Sequence, residues 1–330
     1  MSMTLAARIR ALPFGGASRH VAWFLRRAIG GAAVLWAVTT FTFVVQSLMP
    51  GDRALLIINM AAGNITNPSQ AEIDAVNAKY GFADPIAVQY LNYLWRLLHG
   101  DFGVSYQLHR PVIEIVGAQI LPTIVLAFSA LLTAWFIAIV MTVVLAGRAN
   151  PWARFASGLQ IVMATMPPYW IGTILLVTFA VFLRIFPVEG KNSLIGLVLP
   201  TVALAIPLAG FIGLVIQQEF VRVLEQPFVT SSRARGMGDF GVRLRHVLRH
   251  AVLPGVTLSG WAVGSLFSGA VLVESVFARQ GIGGILVGAT SARDVPLVTG
   301  IVVISAGIYV LANVLVDRAY LIIDPRIKLA

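Results

Sequence analysis

Apolar residues in this chain gather into long uninterrupted blocks separated by polar stretches, without the strict alternation that a half-buried strand requires. The blocks fall at about 28–49, 121–147, 155–186, 194–219, 251–275 and 296–322. Each is long enough to cross a bilayer core, which takes roughly 20 apolar residues in a helix. The pattern predicts an all-α, polytopic membrane protein with six transmembrane helices and both termini on one side. The first block exceeds the core of a cleaved signal peptide and lacks a small-residue cleavage site, so 28–49 is expected to persist as a first span behind segment 1–27. An outer connection, 50–120, precedes a core of five spans over 121–330 that contains a second long connection, 220–250.

Composition agrees with the pattern. Of 330 residues, 58% are hydrophobic and 12% charged, half of the roughly 25% charged share of a soluble domain. The net charge of +10 would suit nucleic acid, but 21 of the 24 basic residues are arginines clustered at the ends of apolar blocks. Retention of positive charge on the cytoplasmic side explains that distribution better. Segments 1–27, 148–154, 220–250 and 324–330 together hold fifteen basic residues, against seven in the alternate set. Both termini and the 220–250 connection are therefore expected in the cytoplasm, with the chain multi-pass in the cell membrane. Cysteine is absent, which excludes disulfides, thiolate metal cages and a thiolate nucleophile.

Proline and glycine punctuate the two long connections. Asn67-Pro68 and Asp84-Pro85 resemble helix caps followed by proline in the first turn, and Gly81 and Gly100 stand where helices stop. Short helices are predicted at about 68–79 and 85–99, the second with Ile86, Tyr90, Leu94 and Leu97 on one face. In the other connection Gln226-Pro227 opens a short helix carrying Phe228 to Arg235, and Gly236 is placed to end it in a left-handed conformation. A basic amphipathic helix is predicted from Phe240 to His250, with Val242, Val247 and Leu248 apolar.

The stretch Phe228-Val229-Thr230-Ser231-Ser232-Arg233-Ala234-Arg235-Gly236-Met237, with Leu253-Pro254 following at a fixed offset, resembles the coupling-loop signature of binding-protein-dependent ABC transporter permeases of the dipeptide and oligopeptide branch. Further landmarks are similar in order and spacing: Ser47-Leu48-Met49-Pro50-Gly51-Asp52, Tyr80-Gly81-Phe82-Ala83-Asp84-Pro85, Gly100-Asp101-Phe102-Gly103, Val273-Glu274-Ser275, Gly281-Ile282-Gly283, Arg293-Asp294-Val295-Pro296 and Asp324-Pro325-Arg326. In Phe277-Ala278-Arg279-Gln280-Gly281 the chain departs from the family's aromatic-Pro-Gly turn. The resemblance implies a type I ABC importer permease fold and a subunit forming half of a peptide pathway. It implies a second homologous permease, two ATPase subunits that bind ATP and magnesium, and an extracytoplasmic peptide-binding protein as partners. Phe228 to Met237 would be the ATPase-coupling segment. Nickel or glutathione is the alternative cargo, and an ion-coupled secondary transporter the more distant reading.

Other residues are weighed on their own chemistry. Glu274, near the outer end of the fifth span, is read as either paired locally or part of a pathway or gate. Gly260 and Gly264 form a small-xxx-small pair suited to close helix contact, with pathway lining as the rival role. Asp317 and Arg318 read as interface anchors. His246 and His250 share a helical face, but Arg243, Arg245 and Arg249 beside them would repel a cation, so no metal site is expected. Pro167, Pro168, Pro200 and Pro207 should kink the third and fourth spans. With no phosphate-binding glycine loop, the chain needs an external source of energy and holds no cofactor of its own. Every histidine lies outside the predicted spans, which disfavours an intramembrane serine protease.

Overall fold

The structure, a computed structural model, describes residues 16–48, 51–62, 67–148, 150–189 and 193–323, with side-chain surroundings omitted for 16–23, 56, 60–62, 317 and 319–323. Among these residues the regular elements are helices, and the one bridge, Val104 to Pro111, is isolated. Met49-Pro50, the surroundings of Asp317 and the Asp324-Pro325-Arg326 landmark lie outside the described set.

Five helices are long and apolar enough to span without interruption: α1 (Gly16–Leu48, apolar from Phe24), then, in chain order, α5 (Val112–Leu145), α8 (Leu194–Leu224), α11 (Leu253–Val276) and α13 (Val295–Ile323). The expected 155–186 span is instead two pieces, α6 (Pro151–Thr165) and α7 (Pro168–Leu175, continuing as a wider π-turn over Leu176–Phe182), bent by 103°. Pro167 and Pro168 cause the break: Met166 leaves the helix in extended conformation, and neither proline has an N–H to continue the ladder. Pro200 and Pro207 behave otherwise, lying inside an uninterrupted α8.

The broken pair still crosses once. At successive points the pair and α8 run antiparallel: a Cβ on Gly213 would meet the Gln160 amide, one on Gly210 the backbone of Ala164, and one on Gly172 the Ala203 side chain. α5 and α8 finish at the same end, where a Cβ on Gly147 would sit 2.7 Å from Leu224. The pair therefore returns the chain to the opposite end before α8 begins, giving six crossings. Fully buried alanines at 130, 134 and 138 recur every fourth residue on α5, where small side chains let a neighbouring helix come close.

The outer connection holds three helices. α2 (Arg53–Ala62) was not foreseen in the pattern. α3 (Gln70–Tyr80) is capped by Ser69 and not by Asn67: Ser69 and Glu72 form a reciprocal capping box. Gly81 ends it at φ 69°, in the left-handed region. α4 (Ile86–Leu98) starts after Pro85, with Asp84 outside. Its tyrosines fasten it to the first span, Tyr90 on Thr40 at 2.7 Å and Tyr93 on Thr42 at 3.2 Å, with both rings against Phe43. Ile86 points away, 65% exposed. Segment 276–295, expected as a bare connection, contains α12 (Ile282–Ser291).

Candidate functional site

At the end where α5 and α8 finish, a short helix stands out from the bundle. α9 (Pro227–Ala234) starts with proline in its first turn and ends at Arg235, after which Gly236 takes φ 84°. That angle is readily available only to glycine. A Cβ there would meet nothing within 4 Å, so the requirement is conformational and not steric.

The ten residues singled out from the sequence divide by face. Val229 and Ser232 are buried, one turn apart, and Met237 packs half-buried against the core. Ser232 Oγ also donates back to the Phe228 carbonyl at 2.8 Å. Phe228, Thr230, Ser231, Arg233, Ala234, Arg235 and Gly236 are exposed. The two arginines differ: Arg233 donates to Asp239 at 2.8 Å, while Arg235, exposed and with no carboxylate partner among the described residues, makes a long 3.4 Å contact with Ser232. Behind α9 lies the predicted basic helix, here α10 over 239–251. It is α-helical at both ends with a π-turn across Arg243–Val247. Val242 and Val247 are fully buried, and so is Arg243, which the sequence pattern gives no reason to place inside. Burial lowers the Arg243 pKa, opposed by nearby Asp239. His250 packs its ring 5.5 Å from Phe228. Among the described residues no cluster of three potential ligands could hold a metal ion.

The weaker candidates sit elsewhere. Gly260 and Gly264 face α13: added Cβ atoms would meet Asn313 Oδ1 at 3.1 Å and the Tyr309 ring at 2.7 Å. Glu274 is fully buried at the opposite end of the bundle. Its carboxylate accepts from Thr123 Oγ1 at 2.7 Å and from the Gly283 N–H at 2.8 Å, and Thr123 Oγ1 in turn accepts from the Ile282 N–H at 2.9 Å. An anion at the start of α12 meets free N–H groups and the positive end of the helix dipole. Gly281 makes room, since a Cβ there would fall on that carboxylate, and Gly283 lets the α11 backbone at Val271 come close as well as leaving space for Glu274. Glu274 thus joins α5, α11 and α12 within this chain.

The other face of α11 borders open space. A groove of about 520 Å³ is lined by Val215 and Glu219 of α8 and Leu253, Pro254 and Thr257 of α11. A second, of about 210 Å³, lies farther along, where Pro207 and Phe211 of α8 and Trp261 and Ser265 of α11 meet Met166 and Pro168 at the α6–α7 break. Of these groove residues the sequence singles out Leu253-Pro254, Pro207 and Pro168, for other reasons, and nothing in it marks the rest as lining a groove.

Six crossings, a face with two separate grooves, and a short helix displayed at one end mark a polytopic membrane protein. Comparison with known proteins gives the family. The chain belongs to the binding-protein-dependent transport system inner membrane components: that family's pattern matches residues 136–329, and the pattern of its N-terminal part matches residues 20–127. It is 32% identical over 318 residues to a peptide transport system permease protein of Brucella abortus, covering 93% of this chain and 99% of that one. It is 30% identical to a peptide ABC transporter permease protein of Sinorhizobium fredii, covering 93% and 99%. A glutathione transport system permease protein of Salmonella typhimurium is 31% identical, covering 93% and 98%. The protein is an ABC permease subunit of the membrane and not an enzyme, and membership implies ATPase and substrate-binding partners.

Proposed function

We propose that this chain forms half of the translocation pathway of an ATP-driven peptide importer and that α9 is the element its ATPase engages. The observation that carries the coupling role is the division of α9 into a buried anchoring side, Val229 and Ser232, and an exposed side ending in Arg235. A helix so held can pass a push to the bundle without being dislodged from it. The grooves between α8 and α11 lie open on one side, as a pathway shared with a second permease would. The excess of basic residues in these segments supports a cytoplasmic position for α9 and both termini. ATP and magnesium belong to two ATPase subunits, because this chain has no phosphate-binding loop. Closure of the ATPases on ATP would favour the outward-facing arrangement, where the extracytoplasmic binding protein delivers cargo, and hydrolysis would restore the inward one.

Peptide is the favoured cargo because the peptide permeases named above match over nearly the whole chain. Glutathione is a second reading, supported by the Salmonella relative, and nickel a third.

Gly236→Val tests the coupling. A β-branched residue in left-handed conformation costs about 1–2 kcal/mol and should misdirect the turn between α9 and α10. Arg235→Glu reverses the exposed charge without touching the Arg233–Asp239 pair. Both variants should leave the complex in the membrane yet lower binding-protein-stimulated ATPase activity and uptake together. Parental rates in both would remove α9 from the coupling. Competition of labelled dipeptide uptake by glutathione and by nickel decides the cargo.

A further inference from the structure

Arg243 is only 2% exposed, and its hydrogen bonds go to backbone carbonyls at the end of a span that is not its neighbour in sequence. Nε donates to the Val143 carbonyl at 2.6 Å, and Nη2 reaches the carbonyls of Ala146 and, at 3.4 Å, Thr142. The guanidinium also lies 5.0 Å from the centre of the Phe220 ring in the last turns of α8. α5 ends at Leu145, so its last turn forms the negative end of its dipole; Thr142 still accepts from the Ala146 N–H, and the Arg243 guanidinium supplies a donor to the Val143 carbonyl. A guanidinium suits that place, since its planar fork serves several acceptors at once without losing its charge. The exposed end of the same segment is tied to the same region: Asp239 receives Arg233 of α9 at 2.8 Å and faces Arg148, just past α5, at 3.7 Å. These exposed pairs contribute little alone, which leaves the buried fork as the main fastening.

We propose that Arg243 is a positioning residue that locks α10, and with it α9, to the last turn of α5. A displacement of α9 then reaches α5 as well as α8 and α11, the two spans joined to it by the chain. The three span ends move as one body, and the rest of the bundle turns against them. The transmission role rests on the reading of α9 as the ATPase-engaging helix; the lock itself does not.

The chain lacks cysteine, so spin labels on Thr230→Cys in α9 and Val144→Cys at the end of α5, both exposed positions, report the separation directly. Pulsed dipolar spectra of the assembled complex in lipid nanodiscs, nucleotide-free and with ATP bound, should give one narrow distance at the same position in both states. Arg243→Met should broaden it and make it shift with nucleotide, while cargo taken up per ATP hydrolysed falls about five- to tenfold, the low end of the span for a typical coupling free energy. Arg243→Lys, which keeps the charge but cannot fork, should fall between. A distribution in Arg243→Met as narrow as the parent's overturns the lock, and broadening with unchanged uptake per ATP overturns the transmission. Should the methionine variant fail to assemble, a lysine variant as narrow as the parent overturns the lock equally. If Arg235→Glu leaves stimulated ATPase activity intact, the reading of α9 has failed instead, whatever the distances.

Discussion

Gly281→Ala adds one methyl group, yet its expected effect is large. Gly281 has φ 170°, extended backbone that alanine adopts freely, so no conformational strain enters. The effect is steric: the new Cβ would occupy the place of the Glu274 carboxylate, which is fully buried and joins α5 to the first turn of α12. A buried polar group that loses its partner costs about 1–3 kcal/mol, so losing both the Thr123 and Gly283 bonds would cost about 2–6 kcal/mol. Partial relaxation reduces this to about 2–4 kcal/mol. Gly288→Ala in the same short helix is the control, because a Cβ there meets nothing within 4 Å. It should stabilise by up to about 1 kcal/mol through helix propensity. The assay is thermal unfolding of the purified complex followed by tryptophan fluorescence, where the alanine at 281 should lower the midpoint by roughly 5 °C or more. Non-additivity provides the finer test: with Glu274→Ala already present, Gly281→Ala should cost little more. Equal midpoints for the two glycine variants, or full additivity in the double variant, would refute this account.

Gly264→Leu should force α11 away from the Tyr309 ring and destabilise by about 1–3 kcal/mol, as overpacking does, measured by the same unfolding transition. For orientation, Thr230→Cys should resist an impermeant thiol reagent in intact cells and react in inverted vesicles, with Asn67→Cys the reverse; Ser232 is unsuitable because it is buried. The Asp101 carboxyl is held below its ordinary pKa of 3.8 by hydrogen bonding from Arg96 at 2.7 Å. Its support of the turn after α4 is therefore fully present above pH 3.8 and lost as pH falls through the depressed value. Proteolysis at Gly100–Gly103 should accelerate only in that acid window, and Asp101→Asn should abolish the pH dependence.

Some parts of this architecture can be read from residue order alone because they follow from local chemistry. Apolar blocks locate the spans, since lipid offers no other partner for the backbone than the helix itself. Pro227 and Gly236 bracket α9 because one suits a first turn and the other a left-handed exit. What stays hidden depends on distant partners. Arg243 in a basic connection reads as one more cytoplasmic charge, and only the carbonyls of α5, about a hundred positions earlier, reveal its buried role. Glu274 likewise finds Thr123 across 151 positions. α12 escapes notice because ten apolar residues are too few to signal a span and lie within a segment expected to be a connection. Asn67 and Ser69 are both acceptable caps, and Glu72, three residues after the serine, decides between them.

The break between α6 and α7 divides mechanical allegiance within one crossing. α6 packs through Gln160 and Ala164 on the half of α8 nearer α9, and α7 through Gly172 on the half nearer α12. Between them, Pro167 and Pro168 have no N–H to surrender, and Met166 is already extended. No helical hydrogen bond links the two pieces across the break, and the locked φ of Pro167 and Pro168 holds it as a fixed corner. Each piece is thereby fixed to its own half of α8, and one crossing carries two packing directions.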